Sequence, residues 1–509
     1  MVCFDNVISL KRNILTNYIS QLYVTTINIL MLPLYLRYMG AEAYGLVGFF
    51  MMLQMWFNLL DMGLTPTIAR ETARFRGGKT NVFNYRSLVW ILERIFLVVA
   101  AAGCATIYVG AGYIANDWLK AVQLPIDEIR KTVQLIAVIV AMRWMCGLYR
   151  GVVSGFERLV WLGGYNSLIA TLRFVGVLLV LKFIGVTPTI FFAYQLCLTI
   201  VELTCLLFFT RRLLPSLSED KQLRWSWATL KPVFKFSLTI AFTSSAWVLV
   251  TQTDKLVLSR VLPLAEYGYF TLAVLVANGV VMISGPVSGA IMPRMTKLEA
   301  EGNHAESISV YRKATQLVSV ISGTAFVVVA FYAEPLLWVW TGDHTVAHQS
   351  APVLTLYAIG NGILAVAAFP YYLQYARGKL KLHLMGSAGF VVILIPSIIW
   401  AASLYGGVGA GYAWLTVNAV YLMVWVPLVH KRLEPGLNTP WFGFDVLTIY
   451  IAATAVGYGL AAITPQIDNR WYQAGGVMIV GLLVLITAVL SSSMFWERIK
   501  TLFCSAKNE

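Results

Sequence analysis

Charged residues are scarce in this chain. Asp, Glu, Lys and Arg make up 12% of its 509 residues, 59% are hydrophobic, and mean hydropathy is +0.72. A water-soluble domain carries roughly 25% charged residues, so a soluble globular fold is excluded. Cysteine is also sparse. Four of the six, Cys104, Cys146, Cys197 and Cys205, fall in apolar runs, and Cys3 and Cys504 lie near the ends. No disulfide framework is expected from that placement. The five histidines hold no metal-ligand set, because His344 and His348 are four apart with no third ligand nearby. Long hydrophilic stretches are missing too. The longest outer loop, about residues 110–131, leaves no room for a soluble catalytic domain, and the loops show neither paired carboxylates nor a nucleophile–base set. No cofactor is expected, and the chain reads as a non-enzyme.

What the chain does have is apolar runs of about 20 residues, each enough to cross a hydrocarbon core of about 30 Å. They fall at roughly 14–36, 45–66, 87–109, 132–152, 160–183, 188–209, 236–258, 268–290, 314–333, 350–373, 382–403, 409–429, 443–464 and 473–494. Runs of this length mean helices, since barrel strands need only about ten alternating residues. The expected fold is an all-α polytopic membrane protein of about fourteen transmembrane helices. Ala41-Glu42-Ala43 resembles a signal-peptidase site, but the preceding run is too long for a signal peptide, and the first helix is read as uncleaved.

The net charge of +14 is unevenly placed. About 27 Lys and Arg fall on one side of the alternating spans, including Arg70, Arg74, Arg211, Arg212, Arg294 and Arg377, against about eight on the other, including Arg37, Lys120, Arg130 and Arg470. This positive-inside bias predicts a multi-pass protein of the bacterial inner membrane with both termini cytoplasmic. Basic charge here sets orientation among membrane lipids. It does not indicate a nucleic-acid partner.

A short segment recurs. Ala41-Glu42-Ala43-Tyr44-Gly45 is followed by Gly63 and Arg70, and Leu264-Ala265-Glu266-Tyr267-Gly268 is followed at nearly the same spacings by Gly285 and Arg294. Two related halves follow, with Gly45 expected to superpose on or near Gly268. The predicted organisation is an N-lobe over 1–210 with six helices, a cytoplasmic connection over 211–235, a C-lobe over 236–435 with six more, and two extra helices with a tail over 436–509. An even number of spans per half makes these parallel repeats, which in transporters flank a central cavity.

Leu32-Pro33-Leu34-Tyr35-Leu36, Gly40, Tyr44-Gly45, Asp61-Met62-Gly63-Leu64 and Arg70 resemble the opening of polysaccharide flippases of the Wzx type. The second half is similar to them at Asp254-Lys255, Glu266-Tyr267-Gly268-Tyr269, Pro293-Arg294, Glu334-Pro335-Leu336-Leu337 and Tyr405-Gly406-Gly407-Val408-Gly409-Ala410. The resemblance covers most of residues 10–430. It implies the multidrug/oligosaccharidyl-lipid/polysaccharide exporter superfamily, two pseudo-symmetric lobes around a central cavity, and a substrate made of oligosaccharide on undecaprenyl diphosphate. It also implies partners: the lipid-linked glycan, a polysaccharide polymerase and a chain-length regulator.

A charge near the bilayer centre costs at least about 2.5–3.5 kcal/mol, which makes such residues candidates for function. Arg143 and Arg173 fall closest to the middle of their spans. Either they contact the diphosphate or acidic sugars of the passing lipid, or they form structural ion pairs. Glu93 and Arg94 are adjacent and point about 100° apart on a helix, so each needs another partner. Arg94 joins the substrate-binding candidates, while Glu93, Glu202 and Asp61 are candidates for coupling or gating. Asp61 can equally be a local structural group at a helix bend. Asp254 and Lys255 read as an interfacial structural pair. Pro33 marks a possible bend in the first helix, as Pro66, Pro286, Pro370, Pro396 and Pro427 do elsewhere. An ion-coupled multidrug exporter is the nearest competing function, although it should show buried carboxylates without several mid-membrane arginines. A membrane glycosyltransferase or polymerase fits less well, given the short loops.

Overall fold

The computed structural model describes residues 2–216, 227–282, 284–464 and 469–496, together with residues 223 and 225. Among these residues there is no strand, only an isolated bridge between Lys120 and Pro263. Residues 217–222, 224 and 226 of the predicted 211–235 connection and the tail after residue 496 lie outside the described residues. The chain divides into two compact units, Met1–Gly268 and Tyr269–Glu509.

The first unit contains α1 (Val2–Met39), α2 (Ala41–Leu60), α3 (Leu64–Arg76), α4 (Val82–Tyr113), α5 (Ile126–Gly155), α6 (Leu159–Thr171), α7 (Val177–Phe183), α8 (Pro188–Leu213) and α9 (Trp227–Val261). A π-helical segment, Leu172–Gly176, joins α6 and α7. The predicted second span breaks at Asp61-Met62-Gly63, where Met62 and Gly63 both take positive φ. There Asp61 caps the amphipathic α3 by accepting from Thr65 N at 3.2 Å and Thr65 Oγ1 at 2.6 Å. Polar caps start other helices as their sequences suggest: Asn81 Oδ1 accepts from Asn84 N at 2.7 Å, and Thr187 opens α8 before Pro188.

At one end of this unit, the two copies of the repeated segment meet. A Cβ on Gly45 would lie 2.2 Å from Leu264 O, and one on Gly268 would lie 2.8 Å from Ala41 O. Only glycine allows backbones that close. Beside this crossing, buried Glu42 accepts hydrogen bonds from three successive amides, Val122 N at 2.6 Å, Gln123 N at 2.9 Å and Leu124 N at 2.8 Å. The same loop reaches the segment before the second repeat. Leu264 N donates to Lys120 O at 2.8 Å, and Trp118 Nε1 donates to Ser259 Oγ at 3.0 Å.

The unit boundary falls inside α10 (Leu264–Met282). The second unit continues with α11 (Gly285–Ala300), α12 (His304–Phe331), α13 (Ala333–Thr341), α14 (His344–Ala367), α15 (Phe369–Ala376), α16 (Lys381–Val420), α17 (Val426–Leu433), α18 (Asn438–Pro440), α19 (Thr448–Ile463) and α20 (Arg470–Leu490). Pro286, Pro370 and Pro427 stand in the first turns of α11, α15 and α17, where proline costs no hydrogen bond, whereas Pro33 and Pro396 lie within helices. The two last helices are packed into the unit. Val480, Val484 and Ala488 of α20 share a buried cluster with Val327 and Ile449, and Tyr450 Oη donates to Gly362 O at 2.7 Å. Buried Asp445 accepts from Arg312 at 2.6 and 2.9 Å and from Gln316 at 2.6 Å.

Twelve stretches of the described residues are long and apolar enough to cross a membrane. One of them, Lys381–Leu433, holds two helices separated at Gly406, whose φ of 58° and ψ of −138° no helix accommodates. Counting those as two and adding the 35-residue α9 brings the twelve to the predicted fourteen.

Candidate functional site

In the first unit, α5, α8 and the π-helical segment carry a cluster of opposite charges inside the membrane-spanning region. Glu202 is near the middle of α8 and 1% exposed. One carboxylate oxygen pairs with Arg173 Nη2 and the other with Arg150 Nη2. Arg143 lies two turns before Arg150 on the same face of α5, within electrostatic reach of Glu202, Arg173 and Arg150. It forms no ion pair with a carboxylate among the described residues, and its guanidinium sits 5.5 Å from the Phe50 ring centroid. Three guanidiniums therefore face one carboxylate, leaving two positive charges in excess. Arg150 Nε and Arg173 Nε are both buried without an acceptor.

The π-helical segment positions Arg173. Tyr194 Oη donates to Leu172 O at 2.7 Å, Gln195 Nε2 to Arg173 O at 3.3 Å, and Tyr35 Oη to Phe174 O at 2.7 Å. Three neighbouring side chains thus serve three consecutive carbonyls of a segment whose ladder departs from the α pattern. Such π segments recur at functional sites because they redirect side chains at small cost. Tyr165 Oη adds a bond to Glu202 O at 2.8 Å from the α6 side.

The remaining candidates lie apart from this cluster. Glu93 pairs with Arg211 at 2.9 Å. Arg94 is exposed and stacks on Trp90, its Cζ 3.6 Å from the ring centroid. Asp61 caps α3, as described above. Asp254 is buried beside Lys255, whose Nζ is 3.1 Å away and also donates to Thr251 O at 2.7 Å. Pro33 is buried in α1, two residues before Tyr35. Among the described residues no group of three His, Cys, Asp or Glu could hold a metal.

Residues 10–299, more than half of the chain, match the family described as polysaccharide biosynthesis protein. The chain belongs to this family. It is 19% identical over 407 residues to a Shigella flexneri protein provisionally named an O-antigen transporter, covering 80% of this chain and 94% of that one. Among solved structures, the lipid II flippase MurJ in an inward closed conformation superposes with a TM-score of 0.72 at 13% identity, covering 95% of this chain and 99% of that one. An inward-facing multidrug resistance MATE transporter superposes with a TM-score of 0.65 at 13% identity, covering 81% and 94%. The fold of this member of the polysaccharide biosynthesis family is the one seen in the MurJ and MATE structures.

Reading the sequence alone left out Arg150, because it lies near a helix end in a basic neighbourhood. A signal for it was present. Arg143 and Arg150 are seven residues apart, two helical turns, and so lie on one face. The second donor to Glu202 follows from that spacing once α5 is known to continue to Gly155.

Proposed function

We propose that the protein turns an oligosaccharide carried on undecaprenyl diphosphate from the cytoplasmic to the periplasmic leaflet of the bacterial inner membrane, by alternating access and without catalysis. The observation that carries this reading is the excess of positive charge around Glu202. Guanidinium groups suit diphosphate because their donors form a planar fork that binds two oxygens at once. In a poorly screened site their attraction for an anion is far stronger than in water. Arg143 has no carboxylate partner among the described residues to compete with a ligand, and the unused Nε donors of Arg150 and Arg173 can take further oxygens. Membership of the polysaccharide biosynthesis family supports the glycan part of the substrate. A polymerase and a chain-length regulator are the partners that would use the delivered glycan.

Surface glycan in a strain carrying variants at equal membrane expression tests this. Arg143→Ala and Arg173→Ala should each lower surface glycan, the lysine variants less so, and Arg143→Glu most of all. Unchanged glycan in the double alanine variant rejects the assignment of these arginines to substrate.

A further inference from the structure

We propose that a cavity of about 370 Å³ in the second unit, bounded by the α12–α13 junction, the start of α14 and the facing ends of α19 and α20, binds a neutral hexopyranose. Its volume falls near the lower end of the roughly 300–1,000 Å³ typical of small-molecule sites. The positive-inside bias puts this end of the unit on the periplasmic side.

Gln473 points to a ligand. It lines the cavity, is only 7% exposed, and its side-chain amide has no partner among the described residues. An amide offers two donors and an acceptor, and this one faces the cavity with all of them available to a ligand. The surrounding groups match the same chemistry. Glu334, in the Glu334-Pro335 segment singled out by its sequence, presents a carboxylate of which one oxygen meets His348 Nδ1 at 3.2 Å. Thr355 and Thr464 add hydroxyls that already donate to carbonyls, to Ala330 O at 3.0 Å and Leu460 O at 2.6 Å, and so retain lone pairs as acceptors. Phe331 supplies an apolar ring to the lining. Hydroxyl-recognising groups beside an apolar face are what a pyranose requires, since it carries hydroxyls around its rim and C–H groups on its faces.

The walls are held in place before any ligand arrives. Tyr332 and Thr464 hydroxyls share a hydrogen bond at 3.1 Å, and Arg470 binds Val339 O at 2.6 Å and Trp340 O at 2.9 Å, tying the start of α20 to α13. Among the described residues no Lys or Arg lines the cavity, so an anion meets Glu334 there without a cationic partner. Among the described lining residues the one carboxylate, Glu334, is engaged by His348, and the amide and hydroxyl groups that make up the rest of the polar lining suit a neutral polyol. The proposal is independent of the arginine cluster and of the direction of transport.

Saturation-transfer NMR on the full chain in phospholipid nanodiscs tests it, with the methyl glycosides of glucose, galactose, mannose and N-acetylglucosamine as probes. At least one should show saturated ring protons, with the signal about tenfold weaker in Gln473→Leu, the loss expected for one polar pairing worth about a decade of affinity. Thr355→Val should weaken it too, and serves alone if Gln473→Leu does not fold. Inorganic pyrophosphate, a probe for the arginine cluster, should leave the signal unchanged. A second arm adds hexosyl-diacylglycerol to the discs: displacement identifies a lipid-borne sugar head, and persistence identifies a free sugar. No saturation with any of the four probes, equal saturation in the variants, or displacement by pyrophosphate or tetraethylammonium overturns the proposal.

Discussion

Arg173 and Glu202, 29 residues apart in sequence, form an ion pair in which the two side chains are 9% and 1% exposed. Neither charge can be left alone at that depth, because a buried ion without its partner keeps the desolvation cost and loses the attraction. Glu202 also serves Arg150, so the carboxylate is the hub on which two helices and the π-helical segment converge. Removing it should be felt as instability, whereas removing Arg143, which pairs with no carboxylate among the described residues, should be felt mainly in transport.

Glu202→Gln is therefore expected to destabilise the protein by roughly 3–5 kcal/mol, the usual cost of removing one member of a buried pair. Thermal unfolding of the purified protein should show a clear drop in Tm for this variant and a much smaller one for Arg143→Ala. Equal Tm values for both would mean that Glu202 does not organise the cluster.

Arg150→Ala should depress surface glycan at least as much as Arg143→Ala at matched expression. The two lie two turns apart on one face of α5, and Arg150 holds the second oxygen of Glu202. A fully active Arg150→Ala protein would restrict the working site to the other two arginines.

Glu42 fixes a loop through three amides. Hydrogen bonds to a charged acceptor are each worth about 1.5–3 kcal/mol. Glu42→Gln should leave the helices intact but speed amide exchange at Val122, Gln123 and Leu124, read by hydrogen–deuterium exchange. Unaltered exchange at these amides would show that the carboxylate does not hold the loop.

The repeat crossing makes a sharper steric prediction. Gly45→Ala puts a methyl 2.2 Å from Leu264 O, a backbone atom that cannot swing aside, while the Gly268→Ala methyl lies 2.8 Å from Ala41 O. Both should lower Tm, Gly45→Ala more, and a Lys120→Cys/Pro263→Cys pair should cross-link less readily in the Gly45→Ala background. Cross-linking at the unmodified rate would mean that the crossing tolerates separation.

Topology can be checked directly. Reporter fusions at Asn116 and His344 should read periplasmic, and one at Lys297 cytoplasmic. Fusions at Lys221 and Asp468, which lie outside the described residues, should read cytoplasmic and periplasmic respectively. A periplasmic Lys297 would reverse the orientation derived from the charge bias.

Much of the fold was legible because its causes are local. Apolar run length against bilayer thickness predicts each crossing, and Gly406 separates the eleventh and twelfth spans where its sequence pattern changes. Asp61-Met62-Gly63 ends α2 by its own backbone preferences, although the apolar pattern runs on to residue 66 and hides the break. The depth of Arg143 and Arg173 could likewise be read from their distance along a helix. That Glu202 meets an arginine of a neighbouring helix was also legible, but which arginines it meets, and what Glu93 pairs with, could not be read. Glu93 pairs with Arg211 and Glu202 with Arg150 and Arg173 because of how α4, α5, α8 and the π-helical segment rotate about their axes and pack. Rotation depends on the fit of side chains from distant parts of the chain, and one π turn shifts a face by more than any helical periodicity anticipates. The amino-acid order determined how many helices cross and which charges enter the membrane; the tertiary structure decided which of those charges are neutralised and that Arg143 is left without a carboxylate partner among the described residues.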